Sequence, residues 1–549
     1  MASQAQRIRE VARERLGYAQ LRPGQLEAVE AVLAGRDTLA VMSTGSGKSA
    51  IYQIAGLLLD GPTIVVSPLI SLQEDQMEAV EGVEGGGAQT LNSTLSAGTR
   101  ERVLEGLESG DVEFVLLAPE QLANDEVTAR LAAAGPSLLV VDEAHCVSQW
   151  GHDFRPEYLR LAAAARALGR PPILALTATA APPVRDDIVA ELGMDDPVIV
   201  VRGFDRPNIR LAVERHHDAE RKTRALLDWV AQHAPGPGIV YATTQRDTEE
   251  LAEALAERGL RAAAYHGGMS ARRRDETQEA FMRDGEVDVM VATIAFGMGV
   301  DKPDVRFVVH HAVSESVDAY WQEVGRAGRD GEPADGVLFY RPQDLGTRRF
   351  QASGRVDRAA LDQVARGLRA AGARPVDPRA IADDLDLSRT RVATALHRLE
   401  EVDLAVVRDD GMVKAAPGVA GLDDDALAEA IDEAALAEEQ RESFDRSRVE
   451  MMRSYAEHDG CRRAFILGYF GEDYDPPCGN CDVCERGDGT PDDDHHDGLD
   501  VGSRVIHEAW GEGTVSGRET DQLTVVFDTV GYRTLDTALV LERGLLRPA

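Results

Sequence analysis

The chain has 549 residues, 43% of them hydrophobic, which is enough length and apolar content for several cored domains. Its 95 acidic residues outweigh 59 Lys and Arg, and the formal net charge of -36 by itself argues against a nucleic-acid binder, though a global charge does not exclude a local basic groove. No run of about 18 apolar residues occurs and no apolar leader follows Met1, so the sequence predicts a soluble, cytoplasmic chain with no transmembrane helix and no membrane partner. Up to about residue 203, apolar runs at 38–42, 63–67, 113–117, 138–141 and 173–176 alternate with helical stretches. That alternation predicts a parallel sheet covered by helices. The pattern returns between 204 and 343, with strands at 238–241, 262–265, 288–292, 306–310 and 337–340. Two α/β domains with a nucleotide between them is the economical reading.

From 356 to 418 the pattern changes. Asp377-Pro378 opens a short helix, Leu387-Ser388-Arg389 turns, and a second helix runs to Glu401. Ala405 to Val413 then reads as a hairpin turning at Asp410-Gly411. Helix, turn, helix and wing predict a winged-helix domain. An acidic helical stretch, 422–440, leads to clustered cysteines. Residues 485–500 are acid-rich and read as a solvated linker, with His495 and His496 inside it. Residues 501–549 alternate apolar and polar side chains between glycines, the pattern of a small β-barrel.

Two motifs carry the chemistry. Ser43-Thr44-Gly45-Ser46-Gly47-Lys48-Ser49 ends in the core of a phosphate-binding P-loop. Glycines let the backbone wrap a triphosphate with its N–H groups inward. Lys48 supplies charge to the β- and γ-phosphates and Ser49 a hydroxyl to Mg²⁺. Asp142-Glu143-Ala144-His145 follows an apolar strand, which places Asp142 to hold Mg²⁺ and Glu143 to polarise a water. A chain with both motifs in this order binds, and is expected to hydrolyse, a nucleoside triphosphate. Separately, Cys461, Cys478, Cys481 and Cys484 supply four thiolates at a spacing that fits a closed tetrahedral Zn²⁺ site. Cys146 reads as a small buried filler.

The motor motifs resemble the RecQ-like DNA helicases of superfamily 2, over about residues 16–345 and again over 461–484. Gly17-Tyr18 with Leu21-Arg22-Pro23-Gly24-Gln25 resembles the family's adenine-recognition motif. The resemblance implies that Tyr18 stacks on the base, Arg22 sits beside it and Gln25 reads its edge. Together with Thr44, Gly45, Ser46, Gly47, Lys48 and Ser49 they make up the expected ATP site. Ser67-Pro68-Leu69-Ile70-Ser71-Leu72 resembles the motif that holds a single strand's phosphates, with Glu74 where the family has Lys. Cys146 to Tyr158, following His145, resembles the aromatic-rich loop, and the resemblance implies DNA binding and coupling by His145, Gln149, Trp150, His152, Phe154 and Arg155. Leu176-Thr177-Ala178-Thr179-Ala180 resembles the hinge motif, and Ala292 to Asp301 the motif touching both DNA and nucleotide. Gln322-Glu323-Val324-Gly325-Arg326-Ala327-Gly328-Arg329 resembles the arginine-finger motif, with Arg329 the first choice for the finger and Arg326 the second.

The resemblance implies two tandem RecA-like domains, 1–203 and 204–345. A winged-helix-like domain is expected at 346–430, a zinc module at 431–487, an acidic linker at 488–500 and the barrel at 501–549. It also implies ATP, Mg²⁺ and Zn²⁺ as cofactors and single-stranded and duplex DNA as partners. Family members usually carry a winged helix after the zinc module; here the pattern precedes it. The tail Val505 to Val515 is similar to the C-terminal barrel of UvrD-like helicases, which suggests a protein-docking module. The expectation is an ATP-dependent 3′–5′ DNA helicase of repair and recombination. Its rivals are a DNA translocase or remodeller that does not separate strands, a winged-helix DNA-binding regulator and, more weakly, an RNA substrate.

Overall fold

The computed structural model describes residues 3–43, 45–68, 87–91, 95–148, 155–233, 236–283, 286–296, 302–346, 358–402, 404–408, 412–472, 474–487, 499, 503–518, 522–527 and 530–548. The chain divides into two compact units, one of residues 1–346, 448–528 and 532–549, the other of 347–447 and 529–531.

The larger unit contains two parallel sheets. The first holds β1 (Thr38–Met42), β2 (Thr63–Val66), β3 (Ala88–Leu91), β4 (Phe114–Leu117), β5 (Leu138–Val141), β6 (Ile173–Thr177) and β7 (Val198–Arg202), in the order β3-β4-β2-β5-β6-β1-β7. The second holds β8 (Ile209–Arg215), β9 (Gly238–Tyr241), β10 (Ala262–Tyr265), β11 (Val289–Ala292), β12 (Phe307–His310) and β13 (Ala334–Tyr340), in the order β10-β11-β9-β12-β13-β8. Strands β1, β2, β4, β5 and β6 are buried at every residue, as the apolar runs demand of strands covered on both faces. β6 lies between β5 and β1, so the carboxyl ends of these three strands face one crevice, where open α/β sheets bind ligands.

The apolar runs miss β3, β7 and β8. All three are edge strands. β3 carries the half-buried Gln89 and Thr90, and β8 carries Arg210, Glu214 and Arg215, so neither is an uninterrupted apolar run. β7 carries Val198-Ile199-Val200-Val201 and was legible in principle.

In the smaller unit, helices Arg358–Ala371, Pro378–Asp384 and Arg389–Glu401 pack on a hairpin of β14 (Ala405–Val407) and β15 (Val413–Ala415). Ser388 caps the third helix by accepting from the Arg391 N–H. Val376 exchanges backbone hydrogen bonds with Val413 and adds a third strand-like edge. This is the winged-helix arrangement; its wing tip, 409–411, lies outside the described residues. Helix Asp424–Glu457 delivers Leu427, Ile431 and Ala435 to the same core. The expected boundary between 430 and 431 therefore falls inside one continuous helix.

The C-terminal segment of the larger unit forms an antiparallel sheet of β16 (Arg504–His507), β17 (Gly511–Arg518), β18 (Gln522–Phe527), β19 (Gly531–Asp536) and β20 (Leu546–Pro548), ordered β19-β18-β17-β16-β20. Among the described residues no pairing joins β19 to β20, so the expected barrel is seen as an open five-stranded sheet. Tyr532 stacks on Tyr469, with ring centroids 5.0 Å apart, and fixes the sheet to the cysteine-bearing segment. The acidic linker is outside the described residues except Leu499. No described helix is long and apolar enough to cross a membrane.

Candidate nucleotide site and metal centre

Strand β1 ends in the P-loop, and helix Ser49–Gly56 follows directly. Gly45 and Gly47 take φ of 76° and 75°, where a Cβ is strained. A Cβ on Gly47 would stand 2.9 Å from the Gln25 amide nitrogen. The Lys48 amine donates to the Met42 carbonyl at 3.1 Å. Burial holds its pKa below the ordinary lysine value, against the opposing pull of Glu143 and Asp142; the Arg329 charge lowers it further.

Asp142 sits at the carboxyl end of β5, 6% exposed, and its Oδ1 accepts from the Glu143 N–H at 3.0 Å. Glu143 adopts a left-handed backbone, φ 49°, unusual for a non-glycine residue and frequent at functional sites. His145 is 1% exposed, with Nδ1 2.9 Å from Thr177 Oγ1 and 3.4 Å from Glu143 Oε2. Thr177 donates its own hydroxyl to the Thr179 carbonyl, which leaves its oxygen to accept and places the imidazole hydrogen on Nδ1. Burial and the Lys48 charge hold the His145 pKa down at about 3, so the ring is neutral near pH 7. A chain of contacts thus runs from Glu143 at β5 to Thr177 at the end of β6.

The second sheet contributes the opposing wall. Helix Val317–Val324 is followed by the loop Gly325 to Arg329. Arg329 lies against the P-loop: a Cβ on Gly45 would be 3.7 Å from Arg329 Cγ. Arg326 is 5% exposed and instead reaches the Tyr241 side chain, inside the second sheet's own domain. Arg206 donates to the carbonyls of Gly325 (3.0 Å), Ala327 (2.8 Å) and Gly328 (3.0 Å). Asn208 donates to the carbonyls of Gly328 (2.8 Å) and Glu332 (2.9 Å). Gly328 has φ 56°, and a Cβ there would stand 2.4 Å from Asn208 Nδ2 and 2.8 Å from the Glu332 carbonyl. Gly328→Ala is expected to cost about 1–2 kcal/mol from the left-handed backbone alone, with the clash in addition. A thermal melt and an ATPase assay should both register it; an unchanged pair would argue against this close approach.

The cysteines converge. All four sulphurs of Cys461, Cys478, Cys481 and Cys484 lie within 4.8 Å of one another, and Cys478 Sγ is 3.8 Å from Cys484 Sγ. Thiolates about 2.3 Å from a tetrahedral Zn²⁺ stand about 3.8 Å apart, so the donor set fits the ion. The backbone N–H groups of Asn480 and Cys484 each point at a sulphur at 3.4 Å. Around the cluster, Arg462 pairs with Asp482 at 3.0 Å, both largely buried, and donates to the Tyr455 carbonyl at 2.6 Å. The Asn480 carbonyl accepts from the Leu211 N–H, which bridges the cysteine loop to edge strand β8.

Three family models match this chain: a DEAD/DEAH box helicase domain over 22–188, a helicase conserved C-terminal domain over 221–331 and a RecQ zinc-binding domain over 423–485. The ATP-dependent DNA helicase RecQ of Pasteurella multocida is 35% identical over 471 residues, 85% of this chain and 60% of that protein. The probable ATP-dependent DNA helicase RecS of Bacillus subtilis is 35% identical over 478 residues, 86% of this chain and 90% of that protein. The chain belongs to the RecQ-like helicase family. It spans 60% and 62% of the length of the Pasteurella multocida and Haemophilus influenzae RecQ relatives. Among solved structures, the DEAD-box helicase Mss116 bound to ssRNA and UDP-BeF matches with a TM-score of 0.50 at 15% identity, over 72% of this chain and 88% of that one, a likeness of fold.

Within the RecQ-like pattern, the structure brings Lys48, Ser49, Asp142, Glu143 and Arg329 to one crevice. Gln25 Oε1 accepts from the Arg22 N–H at 2.7 Å, and Nε2 donates to the Ser46 and Gly47 carbonyls at 3.0 and 2.9 Å. Arg22 donates to the Gly45 carbonyl, and Tyr18 donates to Gln53 Oε1 at 2.9 Å. Arg9, Arg13, Tyr18, Arg22 and Pro23 line a cleft open beside them. Arg155 donates to the Pro68 carbonyl at 3.2 Å, which ties it to the segment that follows β2. Thr44, Gln149, Trp150, His152, Phe154, Leu69 to Leu72, Glu74 and Gly297 to Asp301 lie outside the described residues. The sequence reading missed Arg206 and Asn208. Their signal was present in Asp205-Arg206-Pro207-Asn208, a polar run just before an edge strand.

Proposed function

We propose that this chain is an ATP-dependent DNA helicase that moves 3′ to 5′ on single-stranded DNA and unwinds duplex DNA in repair and recombination. The observation that carries the reading is Arg329, delivered from the second sheet onto Gly45 of the P-loop, across from Asp142 and Glu143. An arginine from one domain facing a P-loop on the other makes hydrolysis depend on domain closure, and domain closure is what a motor needs. Lys48 and the P-loop N–H groups would bind the β- and γ-phosphates, and Glu143 would orient the attacking water. Ser49 and Asp142 would hold Mg²⁺, which when bound neutralises phosphate charge. Arg329 would meet the charge that develops on the γ-phosphate. The Glu143–His145–Thr177 contacts would report the state of that phosphate to the hinge motif. Gln149, Trp150, His152, Phe154 and Arg155 remain the proposed DNA contacts, with Tyr18, Arg22 and Gln25 at the adenine end. Gln25 would have to exchange a P-loop carbonyl for the base.

The proposed domains are 1–203 and 204–345 as RecA-like motors, a winged helix from 346, a zinc module ending at 487 and a C-terminal sheet at 501–549 that could receive a protein partner. A cytoplasmic location suits thiolates that must stay reduced to hold metal. ATPase and strand displacement on 3′-tailed, 5′-tailed and blunt duplexes test the reading. Displacement of the 3′-tailed duplex alone is expected. DNA-stimulated turnover with no displacement on any of them would instead identify a translocase.

A further inference from the structure

One segment of the chain touches both the arginine loop and the zinc module. Within Phe204-Asp205-Arg206-Pro207-Asn208-Ile209, some residues meet the cysteine-bearing segment and others the arginine loop. Phe204 stacks on Phe470 of the cysteine-bearing segment, centroids 4.3 Å apart and planes 5° from parallel. Asp205 accepts from Arg463 at 2.7 Å, and the Ile209 carbonyl accepts from the same guanidinium at 2.7 Å. The Pro207 carbonyl accepts from the Asn480 side chain at 2.9 Å, between Cys478 and Cys481. From within this run, Arg206 and Asn208 turn the other way and hold the carbonyls of Gly325, Ala327, Gly328 and Glu332.

We propose that Arg206 is a positioning residue for Arg329, and that the Phe204–Ile209 run transmits docking of the zinc module to the arginine loop. The inference rests on the proposed function above. Its physical basis is geometric. The three carbonyls belong to the turn immediately before Arg329, and a planar guanidinium fixes them with two nitrogens at once. A lysine at the same place offers a point charge that cannot span Gly325 and Gly328 in one geometry. Charge agrees with geometry. Burial, and after it the nearby Arg329 and Arg22 guanidinium groups, pull Arg206 down to about 10. Three guanidinium groups gathered at one crevice repel each other, and an anionic triphosphate between them relieves that repulsion. The hydrogen bonds by which Arg206 holds the loop go to backbone carbonyls, so the role proposed for it runs through Arg329.

The test uses the full-length zinc-loaded protein with saturating single-stranded DNA. Arg206→Lys is expected to lower kcat for ATP about 100-fold, the scale of a small misplacement of a catalytic group. KM for ATP, zinc content and melting temperature should stay near wild type. In Arg206→Ala, added guanidinium ion at millimolar concentration should restore part of kcat, and methylammonium should not. A purely structural arginine would not show that selective rescue. Wild-type kcat in Arg206→Lys, or a loss of kcat without rescue that follows melting temperature and zinc content, overturns the proposal. If Arg206→Lys fails to retain zinc, Asn208→Ala carries the test. It removes only a neutral amide from the same loop, and lowered kcat at unchanged KM supports the role while unchanged kcat overturns it. Lys48→Ala is run alongside. Turnover surviving in Lys48→Ala means that the nucleotide site itself is misassigned, whereas a dead Lys48→Ala beside a fully active Arg206→Lys rejects only the positioning role.

Discussion

Lys48→Ala is expected to lower ATP turnover by about 100-fold or more while leaving single-stranded DNA binding largely intact. Removing one well-placed charge-stabilising group from a preorganised site costs about that much. Here the effect has a second source. Lys48 is the cation set between the Asp142 and Glu143 carboxylates and the P-loop, and burial has already weakened its hold on its proton. Without it, a triphosphate would meet the Asp142 and Glu143 carboxylates with one cation fewer to offset them. Arg329 cannot substitute, because its side chain approaches over Gly45 from the other sheet. Phosphate release in the presence of saturating single-stranded DNA measures the loss, and fluorescence anisotropy of a labelled strand measures the binding that should persist. Arg329→Ala should show a loss of similar or greater size, since an arginine finger is worth about 10³ or more in P-loop NTPases. Substantial turnover in Lys48→Ala would remove the P-loop from the mechanism.

The sequence shows most plainly what the chain places side by side. The P-loop, the Asp142-Glu143 pair and the four cysteines are short motifs on consecutive residues or fixed spacings, and the buried strands that position them are uninterrupted apolar runs. What it conceals is contact between residues far apart. His145 meets Thr177 only because β6 lies between β5 and β1, and no local pattern reveals that strand order. Arg206 meets Gly325 only because β8 closes the edge of the second sheet beside β13. Gln25 is a further case: its place in the motif was legible, but its hydrogen bonds to the Ser46 and Gly47 carbonyls were not, since a buried amide takes carbonyls in reach. The C-terminal sheet was legible as β structure from its alternation and glycines. That one of its residues, Tyr532, would be buried against Tyr469 was not, because an apolar face reads the same whether its partner is another protein or the same chain. The family models end at residue 485 and give no guide there.

Stripping zinc is expected to remove one Zn²⁺ per chain, disorder the segment around the cysteines and lower DNA-stimulated turnover. The energetics leave little alternative. A structural thiolate site contributes about 10–16 kcal/mol to the fold it holds, as much as the whole stability of a typical domain. The local helix Asp482–Arg486 has only 5 residues and cannot stand without the metal loop that starts it. When that helix leaves, Asp482 leaves Arg462, which is 1% exposed. Breaking a buried pair from one side costs about 3–5 kcal/mol, because the remaining charge has no water to replace its partner. The disturbance should then travel along Asn480 and Arg463 into the Phe204–Ile209 run. Turnover is accordingly expected to fall, though not to vanish, since Lys48, Asp142 and Glu143 stand on a separate sheet. Limited proteolysis should cut metal-free protein between about 440 and 487, and a zinc-chelating dye should report one equivalent released from the native chain. Cys481→Ser, which removes a fully buried thiolate, should lose metal and solubility together, while Cys146→Ser should lose neither. A metal-free protein that resists proteolysis and unwinds DNA at the wild-type rate would show that the four thiolates hold no structural ion.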